Sequence, residues 1–269
     1  MIAVFGVGEL GGALARSLLQ SAYCSPEQLL LIDRAPEILA GSACFSGCQF
    51  SAEIPTGLHL GTGDLVVIAV KPQDSQSICS QLKEALGAEA LVISVMAGVP
   101  LSRLSQQLSH TKIARAMPNL GALVGKSATV FCAAEALNQK EVELIEGLLC
   151  SFGTAWRVED EHLIDVATAV AGSGPAYLCW LLEQMQHSAE RLGFSADEAY
   201  RLVLQTLIGT SAHLESSSQS FLELRTRVTS EGGTTAAALS LFEKRQLGQH
   251  VGDALQAAYE RAIELGRNR

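Results

Sequence analysis

Ser230–Glu231–Gly232–Gly233–Thr234–Thr235 places two glycines directly ahead of two hydroxyl residues, and Ala236–Ala237–Ala238–Leu239 follows with the composition of a helix start. The N–H groups of a first helical turn have no partner within the helix and carry a partial positive charge. Glycine lets such a backbone close around a small anion. The hydroxyls of Ser230, Thr234 and Thr235 add hydrogen bonds without net charge. Ser230, Gly232, Gly233, Thr234 and Thr235 therefore read as a cradle for a carboxylate or phosphate. The same residues also read as a plain helix start in which a threonine is the cap.

A second glycine cluster lies at the other end. Gly6–Val7–Gly8–Glu9–Leu10–Gly11 follows the apolar run Ile2–Ala3–Val4–Phe5 and precedes apolar residues at helical spacing, Leu14, Leu18 and Leu19. Strand, G-x-G-x-x-G, helix is the order a dinucleotide site needs. Gly6 allows the tight turn, Gly8 lets the backbone approach a pyrophosphate, and Gly11 lets helix and strand pack closely. The alternative is a glycine-rich turn in an ordinary α/β protein. Asp33, about 20 residues beyond this loop, is placed to accept a ribose 2′-OH, as NADH offers. Arg34 is placed to clamp a 2′-phosphate and stack on adenine, as NADPH requires.

The elements that must position these groups follow from periodicity. Leu29–Ile32, Leu65–Val70, Leu91–Val95 and Lys112–Ala116 read as strands, the apolar runs implying cover on both faces. Val158 closes the last strand. Asp74–Leu86, Leu101–Leu108 and Asn138–Cys150 read as helices. This alternation predicts a doubly wound, mostly parallel sheet. After Glu159 the strand pattern stops. Tyr177–Leu192 and Ala196–Leu214 are helical, with Gly193 as the stop between them. Glu215–Ser220 reads as a loop, and helices follow through Lys244 and over Val251–Leu265. The division expected is 1–158 for the nucleotide domain and 159–269 for an all-helical one.

Composition narrows the partners. A net charge of −9 argues against nucleic acid. With 48% hydrophobic and 17% charged residues, the chain has a sizeable core and surface to spare for an oligomer interface. Seven scattered cysteines point to a reducing, cytoplasmic setting. Cys44 and Cys48 lack a histidine cluster beside them, so no metal site is expected. Neither a secretory leader nor a membrane span is expected, because glycines interrupt the apolar N-terminal run.

Six ordered segments carry a resemblance over almost the whole chain. They are Gly6–Gly11, Ala69–Val70–Lys71–Pro72–Gln73, Met96–Ala97–Gly98–Val99, Arg115–Ala116–Met117–Pro118–Asn119, Gly172–Ser173–Gly174–Pro175–Ala176–Tyr177 and Val228–Thr235. In these the chain resembles pyrroline-5-carboxylate reductases. The resemblance implies a Rossmann domain followed by an all-helical dimerisation domain. It implies reduction of the C=N bond of Δ1-pyrroline-5-carboxylate to L-proline, with NADPH, or NADH as the alternative, as hydride donor. It further implies cofactor contacts at Ala69, Val70, Lys71, Pro72, Ala97, Gly98 and Asn119, beside the glycine loop and Asp33–Arg34. The partners implied are a small imino acid and further copies of the chain, in a homodimer or larger ring. Thr235 is the hydroxyl expected nearest the imine nitrogen, to relay a proton or simply to position the ring.

Several positions depart from the family pattern. Glu9 stands for the usual asparagine and Glu231 for proline. Leu120–Gly121 stands for Thr-Pro, while Ser218 and Phe221 stand for glutamate and proline. These departures leave open a reductase of a related cyclic imino acid, or a nucleotide-binding regulator without turnover. A hydroxyacid dehydrogenase of similar build is disfavoured, because Tyr177–Leu214 contains no lysine to act as its acid.

Overall fold

A computed structural model describes residues 1–36 and 41–267. Asn268 and Arg269, the end of the expected helical half, lie outside them. The chain forms two compact units. One is Met1–Ser173 with the chain from Ala258 onward; the other is Gly174–Ala257.

The first unit is built on one eight-stranded sheet. Its strands are β1 (Ile2–Phe5), β2 (Leu29–Ile32), β3 (Gln49–Ser51), β4 (Leu65–Ile68), β5 (Leu91–Ser94), β6 (Ile113–Met117), β7 (Ser127–Ala133) and β8 (Gly153–Arg157), in the order β3-β2-β1-β4-β5-β6-β7-β8. β1 to β6 run parallel. β7 is antiparallel to β6, with Ala116 opposite Phe131, and β8 is parallel to β7. The chain leaves β1 toward β2 on one side and returns through β4 on the other. Such a reversal opens a crevice at the carboxyl ends of β1 and β4.

Strand side chains alternate between faces, so β1 feeds two cores. Ile2 and Val4 join Leu14, Leu18, Phe131, Leu148 and Phe152 on one face, under α1 (Glu9–Gln20) and, in chain order after two further helices, α4 (Gln139–Cys150). Ala3 and Phe5 join Ile32, Leu82, Val92 and Leu104 on the other, under α2 (Ser75–Ala85) and α3 (Leu101–Leu108). Every residue of β1, β2, β4 and β5 is buried, which is why these strands read as unbroken apolar runs.

The last strand ends at Arg157, and the chain through Ser173 stays with the sheet. Arg115 of β6, 2% exposed, donates to Glu161 at 3.0 Å and to Asp165 at 2.6 Å. Asp165 belongs to α5 (His162–Ala167), so this pairing ties α5 to the sheet. Glu161 also accepts the Leu101 N–H at 2.8 Å, at the start of α3. Lys112 joins Glu89 at 2.6 Å and Glu141 at 2.5 Å. The hydrogen bonds hold the lysine above its usual pKa and Glu141 below its own.

After Arg157 the described elements are all helical: α5, a π-helical turn over Thr168–Gly172, α6 (Gly174–Arg191), α7 (Ala196–Ser216), α8 (Phe221–Arg227), α9 (Thr234–Lys244) and α10 (Leu247–Arg267). Gly193, at φ +118°, lies between α6 and α7. α8 occupies part of the stretch between the expected loop and the cradle. Its signal is local: Ser220 accepts the Glu223 N–H at 3.2 Å and Glu223 reaches back to the Ser220 N–H at 2.7 Å.

Candidate active site

The residues expected to hold a nucleotide gather on one edge of the parallel sheet. Gly6–Gly11 follows β1, Asp33–Arg34 follows β2, Ala69–Pro72 follows β4, Ala97–Gly98 follows β5 and Asn119 follows β6. Because these strands are parallel, all five positions lie at their carboxyl ends.

The glycine loop is fixed by close approach. Gly6 has φ +87°, and a Cβ there would stand 2.7 Å from the Val70 backbone nitrogen. The strand expected to reach Val70 ends at Ile68, opposite Phe5 at the end of β1. A Cβ on Gly11 would stand 1.9 Å from the Gly6 carbonyl oxygen. Gly8 is different: a Cβ there would meet nothing within 4 Å. Gly8 is also the N-cap of α1, so no side chain caps the N–H groups of the first turn. This is the geometry that accepts a pyrophosphate. Val7 is buried beneath the turn, Leu10 is half-buried and Glu9 is exposed.

A cleft of about 440 Å³ runs from this loop along the end of β2. Gly6, Gly8, Asp33, Arg34, Ala69, Val70 and Lys71 line it. Asp33 accepts the Val7 N–H at 2.6 Å through one oxygen and the Ala35 N–H at 3.2 Å through the other. Arg34 lies 3.2 Å from Asp74, at the start of α2. Asp74, Ser77 and Gln81 of one side and Ala52, Glu53 and Ile54 of another also line it; sequence reasoning missed them, because such contacts are long-range, the Arg34–Asp74 pairing spanning 40 residues of chain.

Val7, Glu9, Leu10, Gly11, Pro72, Ala97, Gly98 and Asn119 are not part of that cleft wall. Gly98, at φ +71°, packs on the end of α10, where a Cβ would stand 3.1 Å from the Gly266 nitrogen. The Asn119 amide holds the following turn. It accepts the Gly121 N–H at 3.0 Å and donates to the Ala171 carbonyl at 3.0 Å.

The cradle lies in the second unit. Gly233 N–H donates to the Ser230 carbonyl at 3.0 Å, closing a turn in which Gly232 has φ +69°. Gly233 is the N-cap of α9, without a side-chain cap. The plain alternative, a capping threonine, is therefore not what this helix uses. Thr234 and Thr235 open the first turn, Thr234 exposed and Thr235 half-buried. A Cβ on Gly233 would stand 2.4 Å from the Ser230 hydroxyl, so that hydroxyl stands beside the helix N-terminus. Among the described residues, no group of three or more His, Cys, Asp or Glu side chains is placed to hold a metal ion. No described helix is long and apolar enough to cross a membrane.

Comparison with known proteins decides the family. Residues 161–265 match the family described as pyrroline-5-carboxylate reductase dimerisation, and residues 1–98 match NADP oxidoreductase, coenzyme F420-dependent. The pyrroline-5-carboxylate reductase of Pseudomonas aeruginosa is 35% identical over 98% of this chain and 96% of its own. The chain belongs to the pyrroline-5-carboxylate reductase family. The family's Staphylococcus haemolyticus member is 31% identical over 98% of this chain and 97% of its own. Among solved structures, the Coxiella burnetii reductase superposes with a TM-score of 0.89 at 31% identity, covering 98% and 97% of the two chains. The Plasmodium falciparum pyrroline carboxylate reductase, solved with NADP bound, gives 0.82 at 26% identity, with the same coverage.

Three of the departures from the family pattern, at Gly121, Glu231 and Phe221, have local explanations. Gly121 stands where the family commonly has proline. Its N–H is used by Asn119, and a Cβ would stand 2.3 Å from the Lys126 carbonyl oxygen, so this turn is remade around glycine. Glu231 is the second residue of the Ser230–Gly233 turn, where proline also fits; here the side chain is exposed. Phe221 is the first residue of α8, another position that favours proline.

Proposed function

We propose that this chain reduces Δ1-pyrroline-5-carboxylate to L-proline with NADPH, in the cytoplasm. The observation that carries the reading is the collection of the glycine loop, Asp33–Arg34, Ala69–Pro72, Ala97–Gly98 and Asn119 at one sheet edge, in a member of this family. Residues 1–158 serve as the cofactor domain and 159–269 as the substrate and dimerisation domain.

When bound, the nicotinamide supplies a hydride to the imine carbon. The chain's own part is binding and orientation. First-turn N–H groups of α1 over Gly8 hold the pyrophosphate, with Gly6, Val7, Glu9, Leu10 and Gly11 shaping the loop. Arg34 serves the 2′-phosphate. Ala69, Val70, Lys71, Pro72, Ala97, Gly98 and Asn119 bound the remaining length of the cofactor. In the second unit, N–H groups around Gly232–Thr235 and the hydroxyls of Ser230 and Thr234 hold the substrate carboxylate. Thr235 orients a proton at the imine nitrogen. A proton placed at that nitrogen would complete the conversion of the imine to the secondary amine.

A homodimer, or a larger ring built from it, completes the reading. No residue of α6 is buried, and only Ala199 and Val203 of α7 are. Trp180, Leu181, Met185, Leu192, Phe194 and Leu202 instead line an open apolar cleft of about 610 Å³. An obligate interface resembles a core cut in half, which this face matches. A second reading, a six-membered cyclic imino acid as substrate, rests on the exposed Glu231 in the cradle turn and the remade turn at Gly121.

The test is NADPH consumption with five- and six-membered cyclic imino acids in parallel. Turnover of Δ1-pyrroline-5-carboxylate at the higher kcat/KM supports the proposal. Preference for the six-membered ring selects the second reading, and NADPH binding without turnover of either ring would identify a regulator.

A further inference from the structure

The Arg34–Asp74 pair stands over the part of the cleft that follows β2. In this fold class that is where the adenosine ribose binds. Arg34 and, after β4, Lys71 are the cations of the cleft wall among the described residues; the Arg34 side chain is 83% exposed, yet Asp74 Oδ1 lies 3.2 Å from its guanidinium. Asp74 is itself one-third exposed and makes no cap bond to α2. Asp33, which follows β2 and shares the cleft wall with Glu53, accepts backbone N–H groups through both oxygens. Asp74 is thus the carboxylate on Arg34, presented by a different element and aimed at the same space.

We propose that Asp74 is a specificity-determining residue that sequesters Arg34 and so narrows the preference for NADPH over NADH. This rests on the reading of the cleft as the NADPH site. A 2′-phosphate must draw Arg34 away from Asp74 before it gains a charge-assisted hydrogen bond. A 2′-OH requires no such exchange. The pair therefore taxes the phosphorylated cofactor alone, and the chain accepts both donors.

The probes are 2′,5′-ADP and 5′-AMP, which carry the two ribose forms without the nicotinamide. Binding is measured by calorimetry on the intact oligomer, in wild type, Asp74→Asn, Arg34→Ala and the double variant. Exposed pairs of this kind correspond to about 1.4- to fivefold in affinity. Asp74→Asn is expected to tighten 2′,5′-ADP by about that factor and to leave 5′-AMP unchanged, with the gain lost in the Arg34→Ala background. An unchanged 2′,5′-ADP affinity, an equal gain for 5′-AMP, or a gain that survives Arg34→Ala overturns the proposal. NADPH and NADH are titrated into wild type alongside. Failure to bind either one removes the parent reading itself, and the proposal with it.

Discussion

Asp33 accepts the Val7 N–H at 2.6 Å, so the end of β2 holds the turn that follows β1. The acidic residue about 20 positions beyond a glycine loop is usually assigned to the ribose. Here its carboxylate braces the loop itself. Asp33→Ala is expected to weaken NADPH and NADH by the same factor, up to about a hundredfold for one lost hydrogen bond to a charged group. Fluorescence titration with both cofactors checks it. Weakening of NADH alone would return Asp33 to the ribose.

Gly8 and Gly11 are two residues of one motif with opposite tolerance. A Cβ on Gly11 would overlap the Gly6 carbonyl, whereas one on Gly8 meets open space. Gly11→Ala is expected to destabilise the fold by about 1–3 kcal/mol, the range for overpacking. Gly8→Ala is expected to shift stability by under about 1 kcal/mol, the loss of a glycine cap, while cofactor binding falls sharply. Thermal melts with and without NADPH separate the two. Equal loss of stability in both variants would contradict the close-approach account.

The contrast between these glycines also marks what the sequence could say. Spacing alone located Gly6, Gly8 and Gly11, because the chemistry of a phosphate turn is local. The fully buried strands β1, β2, β4 and β5 were legible as apolar runs. β3 was not, being three residues long, and of β8 only the closing end near Val158 was, because most of that strand is exposed. β7 hid because Ser127 and Thr129 are buried polar residues that hydrogen-bond each other at 3.0 Å, which breaks the apolar pattern. α8 carried a legible capping pair in Ser220 and Glu223 that the surrounding serines masked. In the site, Arg34 was visible, but its partner Asp74 was not, since only the fold brings the ends of β2 and β4 together.

Arg115 binds two carboxylates while almost wholly buried. Removing it strands Glu161 and Asp165, both partly exposed. Arg115→Met is expected to cost about 2–4 kcal/mol, somewhat less than a fully buried pair. Urea unfolding measures this. A change under about 0.5 kcal/mol, typical of a surface substitution, would mean the two ion pairs do not hold α5 to the sheet.

Trp180 is 60% exposed on a helix with no buried residue. Trp180→Glu is expected to shift sedimentation from dimer toward monomer or aggregate and to lower activity with it. A fully active dimer in this variant would place the interface elsewhere.

The central claim, hydride transfer from NADPH to the imine carbon of Δ1-pyrroline-5-carboxylate, is tested most directly by isotope. The reaction is run with NADPH deuterated at the transferring position, in wild type and in Thr235→Val, which keeps the shape of the side chain and removes its hydroxyl. Mass spectrometry of the product is expected to show L-proline carrying a single deuterium on the former imine carbon. Thr235→Val is expected to form it about ten- to a hundredfold more slowly, the rate equivalent of one hydrogen bond to a charged group. Proline without label, or no proline from a wild-type protein that binds NADPH, would contradict the account.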